Sequence, residues 1–512
     1  MSAASGWAAV VVVSLVTLAI GAFGLRISRT TSDFFVASRS VRPLWNASAI
    51  GGEYLSAASF LGVAGLVLAF GADMLWFPVG FATGYLVLLV LVAAPLRRSG
   101  AYTIPDFAEA RLESRTVRAV ASALVVVVGW LYLLPQLQGA GLTLGTVAGA
   151  PSWLGAVLVA AVVVLNVVAG GMRSITFVQA FQYWLKLTAL LVPLVVLLFV
   201  WRSDGSPSPA AAGGADGGWL LPLEGGGAQD LYRTYSLMIA TFLGTMGLPH
   251  VLVRFYTNPD GRAARRTTVI VLALLAGFYL LPPVYGALGR VYASELIEAG
   301  RSDAVVLELP GLMLSGTAGD LLSALLTAGA FAAFLSTASG LTISVAGALS
   351  QDVLSRVRLG AHGRLGGVAA FRLSALLALV VPLAIALSTE RLAVASSVGL
   401  AFAVAASTFC PLLVLGIWWR RLTDVGAVAG LLAGGLASGG AVVLVIVDPD
   451  RAGWVGALLA QPAAWAVPTG FAVMIAVSLL TPDRVAPGVT RTMVRLHAPE
   501  SLALDRGSWQ PR

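Results

Sequence analysis

The sequence has little charge, one cysteine and few histidines. Only 11% of its 512 residues are charged, against about 25% in a typical soluble domain, so the chain lacks the polar surface that a water-soluble protein needs. The single cysteine, Cys410, excludes a disulfide framework and a thiolate metal site. The three histidines, His250, His362 and His497, lie far apart, which argues against a zinc centre. We expect no cofactor and no transition metal.

Lysine is even scarcer, since Lys186 is the only one and nearly all of the net charge of +8 comes from arginine. The arginines lie in short segments between apolar runs, which is the pattern of membrane topology and not of a phosphate-binding face. We therefore expect no nucleic-acid partner. Lys186 falls within an apolar run, and we interpret it as a snorkelling or packing residue in preference to a substrate anchor.

What the chain does contain is long apolar runs: 58% of its residues are hydrophobic and its mean hydropathy is +0.89. Runs of about 18 residues or more match the hydrocarbon thickness of a bilayer. We predict an all-α, polytopic membrane protein whose main partner is the lipid bilayer, and no obligate protein partner is evident. About 13 spans are expected, at 6–25, 46–70, 75–96, 117–148, 153–170, 174–201, 231–256, 267–289, 319–350, 367–388, 392–418, 424–447 and 456–481.

The arginines also predict the orientation of the chain. Residues 1–25 have no basic residue before the apolar run, and Arg26 and Arg29 follow it, which indicates a retained first helix with the N-terminus outside. The later arginine-rich loops, among them the one that holds Arg254, then alternate onto the cytoplasmic side. We expect a flexible external loop at 202–230 and a solvated cytoplasmic tail at 482–512.

Two predicted spans contain residues that break helices. Span 2 carries Gly51, Gly52 and the carboxylate of Glu53, and span 7 carries Gly244, Gly247, Pro249 and His250. Each of these spans begins a group of five consecutive spans, the first group at 46–201 and the second at 231–418. One predicted helix precedes the two groups, and two follow them at 424–481. Transporters with inverted repeats bind their substrates at such paired breaks. Each break alone is also explained by helix packing, because Gly and Pro are common in membrane helices.

Span 9 carries a stripe of small and hydroxyl-bearing residues. Ala333, Ser336 and Thr337 stand at i, i+3 and i+4 and therefore on one helical face. Two hydroxyls and a few freed backbone carbonyls can bind a small cation. The spacing is equally compatible with hydroxyls that satisfy carbonyls one turn back in their own helix.

Together these segments resemble the sodium:solute symporter family, and within it the cation/acetate branch, over nearly the whole chain. The segments that carry the resemblance are Ser32–Ser40, Gly52–Gly62, Gly170–Met172 with Thr176–Gln179, Gly244–Phe255, and Leu335–Ser339 with Gln351–Leu354. The resemblance implies a LeuT-type five-plus-five inverted repeat that works by alternating access.

The resemblance also implies a cation site. Its ligands would be the carbonyls of Gly52, Leu55 and Ala333 and the hydroxyls of Ser336 and Thr337. Some members carry an aspartate near this site where Gln179 stands here, which leaves both Na⁺ and H⁺ as possible coupling ions. Glu53 is one methylene longer than the expected aspartate. We expect it either to tune the coupling or to form a structural hydrogen bond with the unwound backbone.

The function implied is cation-driven symport of a small organic solute, and the branch suggests a short monocarboxylate such as acetate, propionate or pyruvate. A carboxylate is expected to dock at the half-helix N-termini beside the two breaks. The candidate solute-binding residues are Tyr54, Ser56, Gln136, Met246, Leu248, Pro249 and His250. Alternatives are a symporter for proline, a sugar or pantothenate and, from another class, a sensory or channel-like membrane protein. The absence of a Ser/His/Asp set, a phosphate loop and a metal cluster argues against an enzyme.

Overall fold

The computed structural model describes residues 3–25, 41–210, 219–221, 227–354, 367–388, 394–448, 451–499 and 502. Throughout this part of the chain the regular structure is helical, apart from one bridge between Thr423 and Val485. The α-helices are α1 (Ala3–Leu25), α2 (Pro43–Tyr54), α3 (Val63–Phe70), α4 (Trp76–Leu91), α5 (Ala93–Ser99), α6 (Ile104–Leu112), α7 (Arg115–Ala148), α8 (Ser152–Ser203), α9 (Ala228–Thr245), α10 (Pro249–Val253), α11 (Gly261–Tyr279), α12 (Leu281–Tyr292), α13 (Glu295–Glu298), α14 (Val305–Met313), α15 (Thr317–Ala348), α16 (Gly367–Ser388), α17 (Val394–Trp418), α18 (Asp424–Val447), α19 (Gly453–Ala460), α20 (Ala463–Leu480) and α21 (Val489–His497).

The all-α, membrane-spanning character predicted from the sequence is confirmed. Among the described residues, eleven helices are long and apolar enough to cross a membrane. The count of about 13 is not confirmed. Parts of predicted spans 2 and 3 form one apolar stretch, Ala58–Leu91, and therefore count once. Predicted span 5 corresponds to the first part of α8, Ser152–Val168, which is shorter than the eleven.

The burial pattern places α15 and α17 at the centre of the molecule. Almost every residue of α17 is buried, as is the middle of α15, whereas α1 and α18 present large apolar side chains such as Leu15, Leu436 and Val447 at the outer surface. In water that exposure would be costly, but it is what lipid-facing helices require.

Helix α8 is bent, and its two arms run in opposite directions. Arg372, near the start of α16, donates to the carbonyl of Val168, whereas Leu387, near the end of α16, lines a cavity with Ala156. In the second arm Gln179 donates to Ser336 O, and Ala189 lies against Gly329 nearer the start of α15. Because α15 and α16 follow each other across the membrane, these contacts require the chain to reverse between Val168 and Gln179.

Both predicted helix breaks are present. Helix α2 ends at Tyr54, Leu55 leaves the helical conformation with φ −74° and ψ 85°, and a π-helical turn at Ala58–Gly62 leads into α3. Helix α9 ends at Thr245, Leu248 is extended (ψ 117°), and Pro249 begins α10. Proline suits this first helical position because its missing N–H would have no partner there.

Some predicted features lie outside the described residues: Ser32–Ser40, Arg26, Arg29, parts of the 202–230 loop and most of the tail beyond Pro499. Within the described part of the loop, Trp219 Nε1 donates to Leu68 O at 3.3 Å. Within the tail, α21 packs against α5, and Arg495 Nε donates to Arg98 O at 3.3 Å.

Candidate cation and solute site

A pair of glycines brings α2 against the second arm of α8. A Cβ atom on Gly51 would lie 2.8 Å from the ring of Tyr183, and one on Gly52 would lie 2.1 Å from the carbonyl oxygen of Gln179. Only glycine permits backbone contact this close. The end of α2 therefore lies directly on the α8 face that carries Gln179, Tyr183 and Lys186.

Lys186 reaches from that face into the broken helix. Its Nζ donates hydrogen bonds to the carbonyl of Gly52, to the carbonyl of Leu55 at 2.8 Å and to the hydroxyl of Ser336 at 2.9 Å. The side chain is completely buried. The interpretation of Lys186 as a snorkelling residue is therefore wrong, because Gly52 lets α2 come within reach of the ammonium group.

The other predicted cation ligands lie in the same place. Ser336 Oγ donates to Ala333 O at 3.1 Å, and Thr337 Oγ1 donates to Glu53 O at 2.6 Å. Both hydroxyls are fully buried between α15 and α2. The structure thus brings together all five residues named from the sequence: Gly52, Leu55, Ala333, Ser336 and Thr337.

A buried ion pair lies one step away. Arg254 Nε donates to Glu53 Oε2 at 2.6 Å, and its Nη1 donates to Thr176 Oγ1 at 2.8 Å. Its Nη2 donates to Gln179 Oε1, while Gln179 Nε2 donates to Ser336 O at 2.8 Å. The Glu53 carboxylate is therefore paired with the guanidinium group of Arg254 through Oε2, whereas its Oε1 is buried without a hydrogen-bond partner. A loop position was predicted for Arg254, and it does lie directly after α10, but its side chain is wholly buried against Glu53 of α2 and Thr176 and Gln179 of α8.

Aromatic side chains lie beside the break in α2. The Tyr54 ring packs edge-on against Tyr85 at 4.8 Å and against Phe402 at 6.2 Å between centroids. Tyr132 packs against Phe402 at 5.8 Å and against His250 at 5.2 Å. We call Tyr54, Tyr85, Tyr132, His250 and Phe402 the aromatic cluster; its members come from α2, α4, α7, α10 and α17.

Two members of the aromatic cluster carry polar atoms without a hydrogen-bond partner. Both ring nitrogens of His250 and the hydroxyl of Tyr85 are buried and unsatisfied. By contrast, the Tyr54 hydroxyl is paired with Thr245 Oγ1 at 2.8 Å and donates to Phe81 O at 3.1 Å. Ser56 Oγ is buried beside Tyr132. A buried polar group without a partner is costly and calls for an explanation, such as a functional role, strain, or a bound water or ion.

The remaining predicted solute-binding residues take other positions. Gln136 Oε1 accepts a hydrogen bond from Ala57 N at 3.0 Å, so it caps the restarted helix instead of offering a free donor there. Met246, Leu248 and Pro249 form the buried break between α9 and α10. Helix α10 has only five residues, and Pro249 and His250 lie in its first turn.

Sequence reasoning missed three features of the site. It did not predict that Lys186 bonds to the broken helix, that the Arg254 side chain is buried, or that Tyr85 belongs to the aromatic cluster. A usable signal existed for the first. Thr176, Gln179, Tyr183 and Lys186 repeat at helical spacing and form one polar stripe on an otherwise apolar helix. Arg254 and Tyr85 carry no comparable signal, because each meets its neighbours only across sequence-distant helices.

Comparison with known proteins agrees with this architecture. The Sodium:solute symporter family matches residues 34–434. The "Uncharacterized symporter YwcA" of Bacillus subtilis (strain 168) is 31% identical over 96% of this chain and 97% of its own length. The fold resembles that of a substrate-bound, outward-open Na⁺-coupled sialic acid symporter, with a TM-score of 0.67 and 14% identity over 92% of this chain and 98% of that one. It also resembles Mhp1, a nucleobase-cation-symport-1 family transporter, with a TM-score of 0.56 and 13% identity over 91% and 99% of the two chains.

Proposed function

Since this chain belongs to the sodium:solute symporter family, whose members are transporters and not enzymes, we propose that it couples a cation to the uptake of a short-chain monocarboxylate such as acetate, propionate or pyruvate. The chain is a multi-pass membrane protein with a LeuT-type fold, and family membership supports Na⁺ as the coupling ion. Under the proposal, 46–201 and 231–418 are the two repeats, the N-terminus is outside and the C-terminus is cytoplasmic.

The unsatisfied donors of the aromatic cluster carry the substrate proposal. An imidazole N–H and a phenol O–H are both donors, and a carboxylate has two oxygens that accept such bonds. Hydrogen bonds to a charged group are worth about 1.5–3 kcal/mol, roughly twice a neutral pair. A small carboxylate at His250 and Tyr85 would satisfy both groups while its apolar tail contacts the aromatic rings.

The five cation ligands support the coupling. A positive charge held between α2 and α15 joins a helix of the first repeat to one of the second, and the carboxylate would lie on the other side of the same break. Under the proposal, binding of the cation favours the arrangement of Tyr54 and Ser56 that accepts the solute. Glu53 and Gln179 support this arrangement through Arg254 and Ser336 O.

Uptake into proteoliposomes tests the substrate. Labelled acetate, propionate and pyruvate are compared with proline, glucose and pantothenate, each with and without an inward cation gradient. The proposal expects gradient-dependent accumulation of the monocarboxylates. Accumulation of proline, a sugar or pantothenate in their place would establish the same transport mechanism with another solute.

The Tyr85→Phe variant tests the site. Because the Tyr85 hydroxyl has no protein partner, its removal should leave thermal stability unchanged or slightly higher, while the KM for the carboxylate rises about 10-fold or more. Tyr235→Phe, on an exposed tyrosine, is the matched control and should change neither quantity. An unchanged KM in Tyr85→Phe would remove the hydroxyl from the site.

A further inference from the structure

The amino group of a buried side chain, that of Lys186, lies in the cation site. Lys186 Nζ is bonded to Gly52 O, Leu55 O and Ser336 Oγ, which are three of the five groups expected to bind a metal cation. We propose that the ammonium group of Lys186 is a built-in cation that occupies this site and competes with Na⁺ for it. The inference rests on the proposed location of the cation site.

The hydrogen-bond pattern identifies the group as an ammonium donor. The Ser336 hydroxyl gives its own proton to Ala333 O at 3.1 Å, so it accepts from Lys186. The carbonyls of Gly52 and Leu55 can only accept. Three acceptors around one nitrogen match the three N–H donors of –NH₃⁺, which has no acceptor capacity.

Occupation by Lys186 and by Na⁺ is mutually exclusive for two reasons. The oxygens that a sodium ion would need are already turned toward Nζ, and hard cations bind through several such oxygens at short distance. Two positive charges sharing the same buried oxygens would also repel each other strongly. Na⁺ can therefore bind at these oxygens only when Lys186 withdraws.

The surrounding structure holds Lys186 in place. Gly51 and Gly52 allow α2 to rest on α8, so the stem of Lys186 is enclosed and Nζ reaches the break without crossing open space. Leu55 N, one residue beyond α2, still bonds to Gly51 O at 3.0 Å, which keeps the Leu55 carbonyl at the end of the helix. The lysine thus makes the contact between the repeats that the family would assign to an ion.

Sodium binding to the purified protein tests the competition without relying on transport. The thermal stability of wild type, Lys186→Met, Lys186→Arg and Lys186→Met/Ser336→Ala is titrated with NaCl, with choline chloride keeping the ionic strength constant. We expect Lys186→Met to bind Na⁺ at least ten times more tightly than wild type. Adding Ser336→Ala should abolish that gain, and Lys186→Arg, which keeps the charge, should show no gain.

The wild-type background gives a second test that does not depend on the folding of a Lys186 variant. If Lys186 holds the site, wild type should show only weak stabilisation by Na⁺, and Ser336→Ala in the otherwise unaltered protein should change the titration far less than it does in Lys186→Met. Equal Na⁺ affinity in wild type and Lys186→Met, or tight wild-type Na⁺ binding that Ser336→Ala abolishes, overturns the proposal. Failure of the proposed substrate would appear separately, as an absence of monocarboxylate uptake by wild type with these sodium titrations unaffected.

Discussion

Four polar or charged side chains, Glu53, Gln179, Lys186 and Arg254, are almost completely buried near the break in α2. Each has a partner on another helix, and Gln179 touches both the ion pair and the cation-site helix. A buried charge is tolerated only when it is paired and hydrogen-bonded. Substitutions at these four residues are therefore expected to have non-additive effects on the free energy of unfolding.

The Glu53–Arg254 pair gives the first prediction. Glu53→Gln or Arg254→Gln leaves its partner buried without an opposite charge, which costs about 3–5 kcal/mol. The double variant should lose less than the sum of the single variants, because the two residues interact directly. Thermal unfolding in detergent measures the three values.

The exposed pair Asp448–Arg451, at 2.9 Å, is the matched control. Neutralising it should cost about 0–1 kcal/mol. The prediction would be contradicted if the loss of unfolding free energy in the Glu53/Arg254 double variant equalled the sum of the losses in the two single variants. Independently, a Glu53→Gln variant that transports with the wild-type rate and pH dependence would rule out a role for Glu53 in coupling.

At the scale of single elements, close approach between helices depends on a few glycines. Gly52 meets Gln179 O on α8, and Gly244 and Gly247 meet Phe402 O and Ala405 O on α17. These contacts bring both broken helices against their neighbours at the height of the breaks. A Cβ atom at any of these positions would have to displace backbone.

Gly52→Ala is expected to separate α2 from α8 and to lower both stability and uptake severely, since the Cβ would lie 2.1 Å from a carbonyl oxygen. Gly439→Ala in α18 is the matched control, because a Cβ there meets nothing within 4 Å. It should be neutral or stabilising by up to about 1 kcal/mol. A functional, stable Gly52→Ala protein would show that α2 does not need this approach.

A second element-scale prediction concerns the segment before α14. Asp303 Oδ2 accepts from Val394 N at 3.2 Å, which ties this segment to the start of α17. Burial raises the pKa of Asp303 from 3.8 to about 6. The folded protein therefore binds a proton here more tightly than the unfolded chain, and stability from this group falls as the pH rises from about 4 to 6.

Asp303→Asn removes the charge that is costly above pH 6. We expect the variant to be more stable than wild type at pH 7.5, by at most about 3 kcal/mol, and equally stable near pH 4. Thermal unfolding of both proteins across this range measures the difference. A difference that does not change with pH would show that Asp303 does not titrate as expected.

For the whole molecule, an ion cluster joins distant parts of the chain at the ends of several helices. Arg118, at the start of α7, pairs with Asp106 at 2.9 Å and Glu109 at 2.6 Å, both on α6, and with Asp352 in the turn after α15. The cluster thus connects α6 and the start of α7 with the turn that follows α15.

Arg118→Met should lower stability by about 3–5 kcal/mol, because it leaves three neighbouring carboxylates without their cation. Arg115→Met, one turn earlier and exposed, is the control and should stay within about 0.5 kcal/mol of wild type. Comparable losses in the two variants would mean that the cluster does not hold these segments together.

The sequence by itself determined the membrane-spanning class, the two helix breaks and the hydroxyl stripe on α15. Each of these is a local pattern: apolar length, glycine and proline positions, and residue spacing along one helix face. Only the tertiary structure decided which groups meet there. Lys186 was visible as a single charge within an apolar run, yet its acceptors come from α2 and α15, and nothing in the sequence indicated that Arg254 pairs with Glu53. Pairings of this kind depend on how closely two helices approach, and that distance is set by side chains on both of them.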